Sequence, residues 1–404
     1  MRVLIVHNEY GKFSGEEAVV RGVAELLRRK GHTVIEFSRS SAELETMRLG
    51  QVCAFFNGIY SPSSRKAMGR LLAEHQPDLV HVHNVFPLIS PSILPECRRA
   101  GVPVVMTVHN YRLVCPNGLH MPKGRYEICE KCCGGKEYWC VLKNCEQSYA
   151  KSLGYALRNY VARRLGFFRK NVTLFACLTE FQRRRLIAEG YPADCLRVIP
   201  NMCPVRTEVE DDSAGGGDYA AYVGRISPEK GIEVLLSVAE RLPDVPFRLA
   251  GSYDAMPELV GKASANVSFL GNLDAKRLAE FYRQSRVLVL SSRWFEGFPM
   301  AIVEAMAYGK AVVAPRIGGI PEIVDDGVTG LLFVPGNAED LAEKVRYLWA
   351  SPNLCRRMGR SGREKALREY SPESYYGRLA ALYQEAIALG SGCAGPPFER
   401  SSIA

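Results

Sequence analysis

Short apolar runs alternate with amphipathic helical stretches through nearly the whole chain, and the rhythm starts twice. The first set of runs is Val3–His7, Thr33–Phe37, Leu79–His83, Val104–Val108, Val172–Leu178 and Leu196–Ile199. The second is Tyr219–Val223, Phe247–Ala250, Val267–Leu270, Val287–Ser291 and Ala311–Ala314. Runs this short and this rich in Val, Ile and Leu, separated by helices, predict parallel strands covered on both faces. Helices are expected over Glu16–Lys30, Glu229–Arg241, Ala275–Gln284, Met300–Tyr308 and Glu339–Ala350, from apolar residues at helical spacing. A length of 404 residues points the same way, because single cores rarely grow past about 250–300 residues. The expectation is an α/β protein of two Rossmann-like, doubly wound domains facing a cleft.

The acidic, Gly-rich segment Glu208–Asp218 has linker chemistry. It divides a first domain, residues 1–205, from a second, residues 206–371. The helical pattern Pro372–Leu389 carries Tyr375, Tyr376, Leu379, Leu382 and Tyr383, and is expected to cross back onto the first domain. The tail 390–404 has little to bury and is expected to be disordered.

Composition excludes several classes. A chain 47% hydrophobic and 24% charged is too apolar for a disordered protein. No apolar stretch is long enough to span a bilayer, and the N-terminus lacks a signal-peptide pattern, so a cytoplasmic location is expected. The net charge of +9 is moderate; it allows an anionic ligand or membrane surface without demanding nucleic acid.

Four segments carry chemistry. In Phe295–Glu304 a strand ends at Ser291-Ser292, a Gly/Pro turn follows and a helix starts near Pro299. Open α/β sheets bind ligands at the carboxyl ends of such strands, and a helix N-terminus presents backbone N–H groups to hydroxyls or phosphates. Glu296 and Glu304 are then placed to accept hydrogen bonds from sugar hydroxyls, although for an isolated pair a helix cap and a solvated carboxylate is the commoner reading. In Val223–Gly231, Arg225 and Lys230 flank a turn in which Ser227 is the expected N-cap and Pro228 the first helical residue. Two cations at a helix start suit a diphosphate; surface charge on a capped helix is the plainer reading. The first turn, His7–Glu17, has Gly11 and Gly15 but no Gly-x-Gly-x-x-Gly, which argues against NAD or FAD. His109 ends the strand Val104–Val108 at the cleft side, where a histidine is either structural or functional.

Together these segments resemble the family-4 retaining glycosyltransferases of GT-B fold. The resemblance covers most of residues 1–390 and is densest over 219–335. It rests on Glu-x7-Glu from Glu296 to Glu304, Gly-Arg-x4-Lys-Gly from Gly224 to Gly231, and Gly318-Gly319-Ile320-Pro321-Glu322. Gly327–Leu332 and Ile199-Pro200-Asn201 also fit. The resemblance implies that Arg225 and Lys230 bind the donor diphosphate, that Glu296 contacts donor-sugar hydroxyls and that Glu304 contacts the nucleotide ribose. It also implies that Gly224 and backbone groups of Phe298, Pro299 and Met300 help hold the donor. His109 would lie beside the donor sugar, and Gly15 under the phosphates. Catalysis would need no metal, and the departing diphosphate would take the acceptor proton on the same face. Ser14 stands where many relatives carry a second glycine. The partners implied are a nucleotide-diphosphate sugar and a saccharide or lipid-linked acceptor, in cell-surface polysaccharide or glycolipid synthesis, and not nucleic acid. A small-molecule glycosylating or phosphorylase-like enzyme and a catalytically silent nucleotide-sugar binder are the competing readings.

Two further segments stand out. Of thirteen cysteines, six lie between Cys115 and Cys145, within an insertion over 111–147 that resembles one found in a subset of these transferases. In a reducing compartment such a cluster favours metal over disulfides. Cys129 and Cys132 have zinc-knuckle spacing, and Cys115 and Cys145 complete a four-thiolate set for a structural zinc, with Cys133 and Cys140 as substitute ligands and an iron–sulfur cluster less favoured. Downstream, Lys151–Lys170 carries six cations, no acid and interleaved aromatics. It reads either as a basic helix for an anionic membrane surface, placing the protein peripherally on the inner face of the membrane, or as a solvated helix packed by its aromatics.

Overall fold

The computed structural model describes residues 1–10, 15–46, 50–203 and 217–392. It contains two parallel six-stranded sheets with helices between successive strands. The first sheet comprises β1 (Arg2–Glu9), β2 (Thr33–Ser40), β3 (Leu79–Asn84), β4 (Val104–Val108), β5 (Leu174–Cys177) and β6 (Leu196–Val198), in the order β2-β1-β3-β4-β5-β6. The second comprises β7 (Tyr219–Val223), β8 (Phe247–Ala250), β9 (Val267–Gly271), β10 (Ser285–Val289), β11 (Ala311–Pro315) and β12 (Gly330–Phe333), in the order β12-β11-β10-β7-β8-β9. Every pairing is parallel; β1 runs in register with β2 from Arg2 opposite Thr33 to Glu9 opposite Ser40. The eleven expected strands are present, and β12 is an additional one. Its sequence, GLLF, begins with glycine and is short, so it does not stand out as an apolar run.

Each sheet has one point where strand order reverses, between β1 and β3 in the first and between β7 and β10 in the second. Crossovers leave in opposite directions there, and a crevice opens at the carboxyl ends of the strands. The ligand-facing loops of both domains therefore gather at two reversal points.

Three local expectations differ. Glu229–Arg241 is not one helix: a 3₁₀ turn at Pro228–Lys230 stops at Gly231, whose φ of 66° is left-handed, and the α-helix starts at Ile232. Ser227 does not cap it; its hydroxyl donates to Glu229 Oε1 at 2.8 Å instead. The Lys151–Lys170 stretch breaks at Gly166 (φ 68°) into helices Tyr149–Leu165 and Phe167–Asn171.

The helix Pro372–Gly392 lies on the first sheet. Tyr375, Leu379, Leu382, Tyr383 and Ala386 share a buried cluster with Val3, Ile5, Val23, Leu79 and Val105. Polar contacts fix its register: Tyr383 Oη lies 2.7 Å from His81 Nδ1, and Tyr376 Oη lies 2.8 Å from His32 Nε2. The residues expected as a tail are helical to Gly392; 393–404, most of the interdomain segment, and Ser14 lie outside the described residues.

Candidate active site

At the reversal point of the second sheet, the loops after β7 and β10 are zipped together. Ser291 Oγ donates to the Lys230 carbonyl at 2.9 Å, and Arg293 N–H to the Glu229 carbonyl at 3.0 Å. Gly231 is required here twice over: its φ is left-handed, and a Cβ would sit 2.1 Å from the Ser291 carbonyl oxygen. This zipper brings Lys230 Nζ to 2.7 Å from Glu296 Oε1, while Ser292 Oγ donates to the same oxygen at 2.5 Å. The pair is nearly dry, with side-chain exposures of 16% and 5%, so its field is screened little by water.

Arg225 is placed differently. Its side chain is 68% exposed and reaches Glu229 Oε1 at 3.2 Å, at the mouth of the crevice. Gly224 precedes it with φ 150°. Glu304 lies in the helix Met300–Ala307, and its Oε2 accepts from the buried Tyr282 hydroxyl at 2.8 Å. Burial raises the Glu304 carboxyl above the usual carboxylate range. Phe298 is buried edge-on against Tyr370 at 5.3 Å, which leaves its backbone, rather than its ring, to the crevice. Pro299 is the N-cap residue of that helix and Met300 its first residue.

The first domain meets this loop directly. A Cβ on Gly297 would lie 3.2 Å from the His109 carbonyl oxygen, so the segment after β4 and the Glu296 loop are in near contact. His109 Nε2 bonds His83 Nδ1 at 2.9 Å. Burial lowers its pKa to about 3, so the ring is neutral and offers one N–H and one lone pair. Nearby, Glu322 of the Gly-Gly-Ile-Pro-Glu segment accepts the backbone N–H of Glu180 at 2.6 Å and of Phe181 at 2.6 Å, stapling one domain to the N-terminus of a helix in the other. Phe295 adds an aromatic contact to Tyr111, His120 and Phe181. His109, Lys230, Glu296, Phe298, Pro299 and Met300 thus share one region, Glu304 lies in the helix that follows it, and Arg225 stands at its edge. Gly15 begins the helix that follows β1.

Comparison with known proteins identifies this arrangement. The family model for group 1 glycosyl transferases matches residues 208–365, and that for glycosyltransferase family 4 matches residues 13–205. Each of the two domains thus matches a glycosyltransferase model, and the chain is a glycosyltransferase. It is 27% identical over 336 residues to an uncharacterized glycosyltransferase of Methanocaldococcus jannaschii, covering 82% of each chain. It is also 36% identical over 187 residues to an α-maltose-1-phosphate synthase of Mycolicibacterium smegmatis, 42% of this chain and 48% of that one. Among solved structures it resembles a sucrose-phosphate synthase from Thermosynechococcus elongatus, with TM-score 0.72, 20% identity and coverage of 96% and 99% of the two chains. It also resembles Anabaena HepE in complex with UDP and glucose, with TM-score 0.67, 18% identity and coverage of 95% and 100%. The fold of this glycosyltransferase is GT-B.

In the insertion of this transferase, Cys115, Cys132 and Cys145 are buried and Cys129 half-buried, all as free thiols. Cys132, Cys140 and Cys145 share a small buried cluster. Among the described residues, the grouping whose potential ligand atoms all lie within 4.8 Å of one another is His120, Glu130 and Cys133, a different set from Cys115, Cys129, Cys132 and Cys145. The insertion also touches the second domain, where Tyr126 Oη lies 3.4 Å from Glu233 Oε1 and Arg293 lies 4.9 Å from the Tyr126 ring centre.

The basic stretch is less basic on its surface than its composition suggests. Arg158 is buried, 4.0 Å from the Phe86 ring centre, with its guanidinium donating to the Pro116 carbonyl at 2.7 Å. Arg163 is paired with Glu137 at 2.6 Å. The sequence assigns no role to Glu322, Tyr282 and the histidines behind His109, whose partners lie in other elements, nor to Ser292, which reaches Glu296 only because the loop between them turns back. The repeated His-x-His at His81 and His83 was a usable signal.

Proposed function

We propose that the chain is a retaining glycosyltransferase that moves a sugar from a nucleotide-diphosphate sugar to a hydroxyl of a saccharide or lipid-linked acceptor, in cell-surface polysaccharide or glycolipid synthesis. The observation that carries this reading is the dry Lys230–Glu296 pair at a strand-order reversal, with the His109 backbone in near contact with the adjacent Gly297. The likeness to HepE, whose solved complexes hold UDP with glucose and UDP-glucose, supports a nucleotide sugar as donor.

In this reading Lys230 and Arg225 face the diphosphate, whose negative charge grows as the glycosidic bond breaks. A fixed cation in a site of low dielectric needs no reorganisation at that moment. Glu296 accepts from donor-sugar hydroxyls, and Glu304 takes the ribose. The neutral His109 ring hydrogen-bonds the sugar from the opposite domain. The acceptor oxygen attacks the face from which the diphosphate leaves, and its proton passes to the departing phosphate oxygen. Charge stabilisation is assigned to the two cations, with no metal in the step. Lys230→Ala and Glu296→Ala should abolish slow release of sugar from the preferred nucleotide sugar, found by thermal shift. Unchanged turnover in both variants would overturn the assignment.

Two finer readings accompany it. Soft thiols gathered around a buried Cys132 suit a structural zinc, held by Cys115, Cys129, Cys132 and Cys145, which would tie the insertion together beside the cleft. Zinc analysis with thiol titration tests this: Cys132→Ser should release the metal, whereas loss in His120→Ala and Cys133→Ser alone would move the site to the other grouping. The helix Tyr149–Leu165 exposes Tyr149, Leu153 and Tyr160 along one face beside Lys151 and Arg164, and Phe56 is exposed on the helix Gly50–Ile59 against which it packs. Apolar side chains between cations suit an anionic bilayer surface. Sedimentation with phosphatidylglycerol vesicles should fall in Leu153→Ser; equal binding by that variant, or none by the native protein, refutes it.

A further inference from the structure

Behind His109, at the strand-order reversal of the first sheet, four buried polar atoms lack any partner: both ring nitrogens of His7, Nε2 of His83 and Oε1 of Glu16. Only ten such side-chain atoms occur among the described residues, so this concentration is not scatter. Buried polar atoms are almost always bonded, and an unbonded group calls for an explanation. The geometry of the group supplies one.

His7 lies near the end of β1 and is 5% exposed; His83 lies near the end of β3 and is 3% exposed. The Glu16 side chain, 11% exposed, enters from the first turn of the helix Gly15–Arg29 and holds Oε1 3.9 Å from His7 Nδ1. That separation is too long for a hydrogen bond. Surrounding bonds fix Glu16 and His83 in place, and the buried His7 ring stands edge-on to His83 with ring centres 6.5 Å apart. Glu16 Oε2 accepts from the Tyr10 hydroxyl at 2.8 Å, and His83 Nδ1 is bonded to His109 Nε2. His83 stacks between His81 and His109, with ring centres 4.1 and 5.2 Å away. His81 is itself bonded to Thr107 and Tyr383. The unbonded atoms are therefore held in place by a finished network, and they lie next to the residue facing the donor site.

We propose that Glu16, His7 and His83 form a subsite for the neutral hydroxyl groups of the acceptor, selecting an uncharged polyol terminus over a phosphorylated or carboxylated one. The proposal rests on the transferase reading above. A hydroxyl is at once donor and acceptor. It can give its proton to Glu16 Oε1 while its oxygen accepts an imidazole N–H, and a vicinal pair would engage both histidines. An anion fits poorly. Burial keeps His7 neutral down to a pKa of about 4, so neither imidazole supplies a charge, and the Glu16 carboxylate repels one. The nearby Arg112 guanidinium is matched by the Glu16 carboxyl, on which it acts, and lies 5.4 Å from the Tyr10 ring centre and 3.5 Å from Asn84 Oδ1, so it leaves no unmatched positive charge for an anion.

The test uses full-length protein carrying ¹³C-labelled histidine at pH 8, with His7→Gln and His83→Gln to assign the ring signals. D-glucose, D-galactose, N-acetyl-D-glucosamine and myo-inositol are titrated in turn, against glucose 1-phosphate, glucuronate and inorganic phosphate. At least one neutral sugar should shift the His7 and His83 signals saturably. Glu16→Gln should weaken that binding by about tenfold or more, as expected when a buried charge-assisted hydrogen bond is lost, and Glu16→Lys should turn the preference toward the anions. The proposal is overturned if no neutral sugar shifts these signals, if the anions bind more tightly to the native chain, or if Glu16→Gln binds the sugar unchanged. Calorimetry with UDP, run in parallel, reads the donor domain alone. UDP binding without sugar binding defeats the subsite only, whereas sugar binding without UDP binding defeats the nucleotide-sugar reading.

Discussion

Removing one half of the Lys230–Glu296 pair should cost stability as well as activity. At 2.7 Å the attraction between the two charges is about 6 kcal/mol for an effective dielectric of about 20. Much of this offsets the desolvation of two side chains that are 16% and 5% exposed. Cutting one partner therefore removes the attraction while leaving the desolvation of the other, and the expected loss is about 3–5 kcal/mol for Lys230→Met. Among the described residues Ser292 is then the remaining hydrogen-bond partner of Glu296 Oε1, and one hydroxyl does not compensate a buried carboxylate. Replacing both groups, as Lys230→Met with Glu296→Gln, removes the unpaired charge and should recover most of the loss. Urea unfolding of the two single variants and the double variant measures the coupling directly. The reasoning is refuted if Lys230→Met costs under about 1 kcal/mol, or if the two single losses simply add. Nucleotide-sugar turnover should be absent in all three, which separates a folded but inactive double variant from a merely unstable one.

Other outcomes follow from the same geometry. Glu322→Ala leaves the N–H groups of Glu180 and Phe181 without their carboxylate; it should cost about 1–3 kcal/mol and widen the molecule in X-ray scattering, and an unchanged profile would show the staple to be idle. Gly231→Ala must adopt φ near 66° and push a Cβ onto the Ser291 carbonyl, so it should destabilise by well over the ~1 kcal/mol of an ordinary Gly-to-Ala mismatch, read by thermal melting. On acidification, buried His81 and His109, held at about 3 against an ordinary 6.5, exclude protons that the unfolded chain binds. Stability should therefore fall as pH drops from about 6.5 toward 3. A melting temperature flat over that window would contradict their burial. Glu16 works in the other sense: its carboxyl is raised to about 7, so the folded state holds a proton that the unfolded chain gives up. That contribution is lost as pH rises through about 7, and Glu16→Gln should flatten the slope between about 4.5 and 7.

Much of the architecture was legible because it rests on local pattern. A buried parallel strand must be apolar on both faces, and Val3–Val6, Val80 with Val82, and Val312–Ala314 are fully or almost fully buried. Gly224 ahead of Lys230 and Gly297 just after Glu296 marked the turns at these strand ends. Local pattern failed where a neighbour from another element competed. Ser227 had the composition of an N-cap, but Glu229 offers its hydroxyl a carboxylate. Arg158 read as part of a surface stripe, but a ring and a carbonyl draw it inward.

By itself the sequence determined the two α/β sheets, the strand-end loops and the identity of the charged groups at the strand-order reversal of the second sheet. Each of these depends on residues within a few positions of one another. Only the tertiary structure decided which charges face each other. Lys230 meets Glu296 across 66 positions, Glu322 meets the Glu180 amide across 142, and His81 meets Tyr383 across 302. Strand order places such residues together, and strand order is set by which crossovers pack. The same packing decided that Glu16, His7 and His83 would be buried with unbonded polar atoms at one reversal point, a juxtaposition that no local spacing encodes.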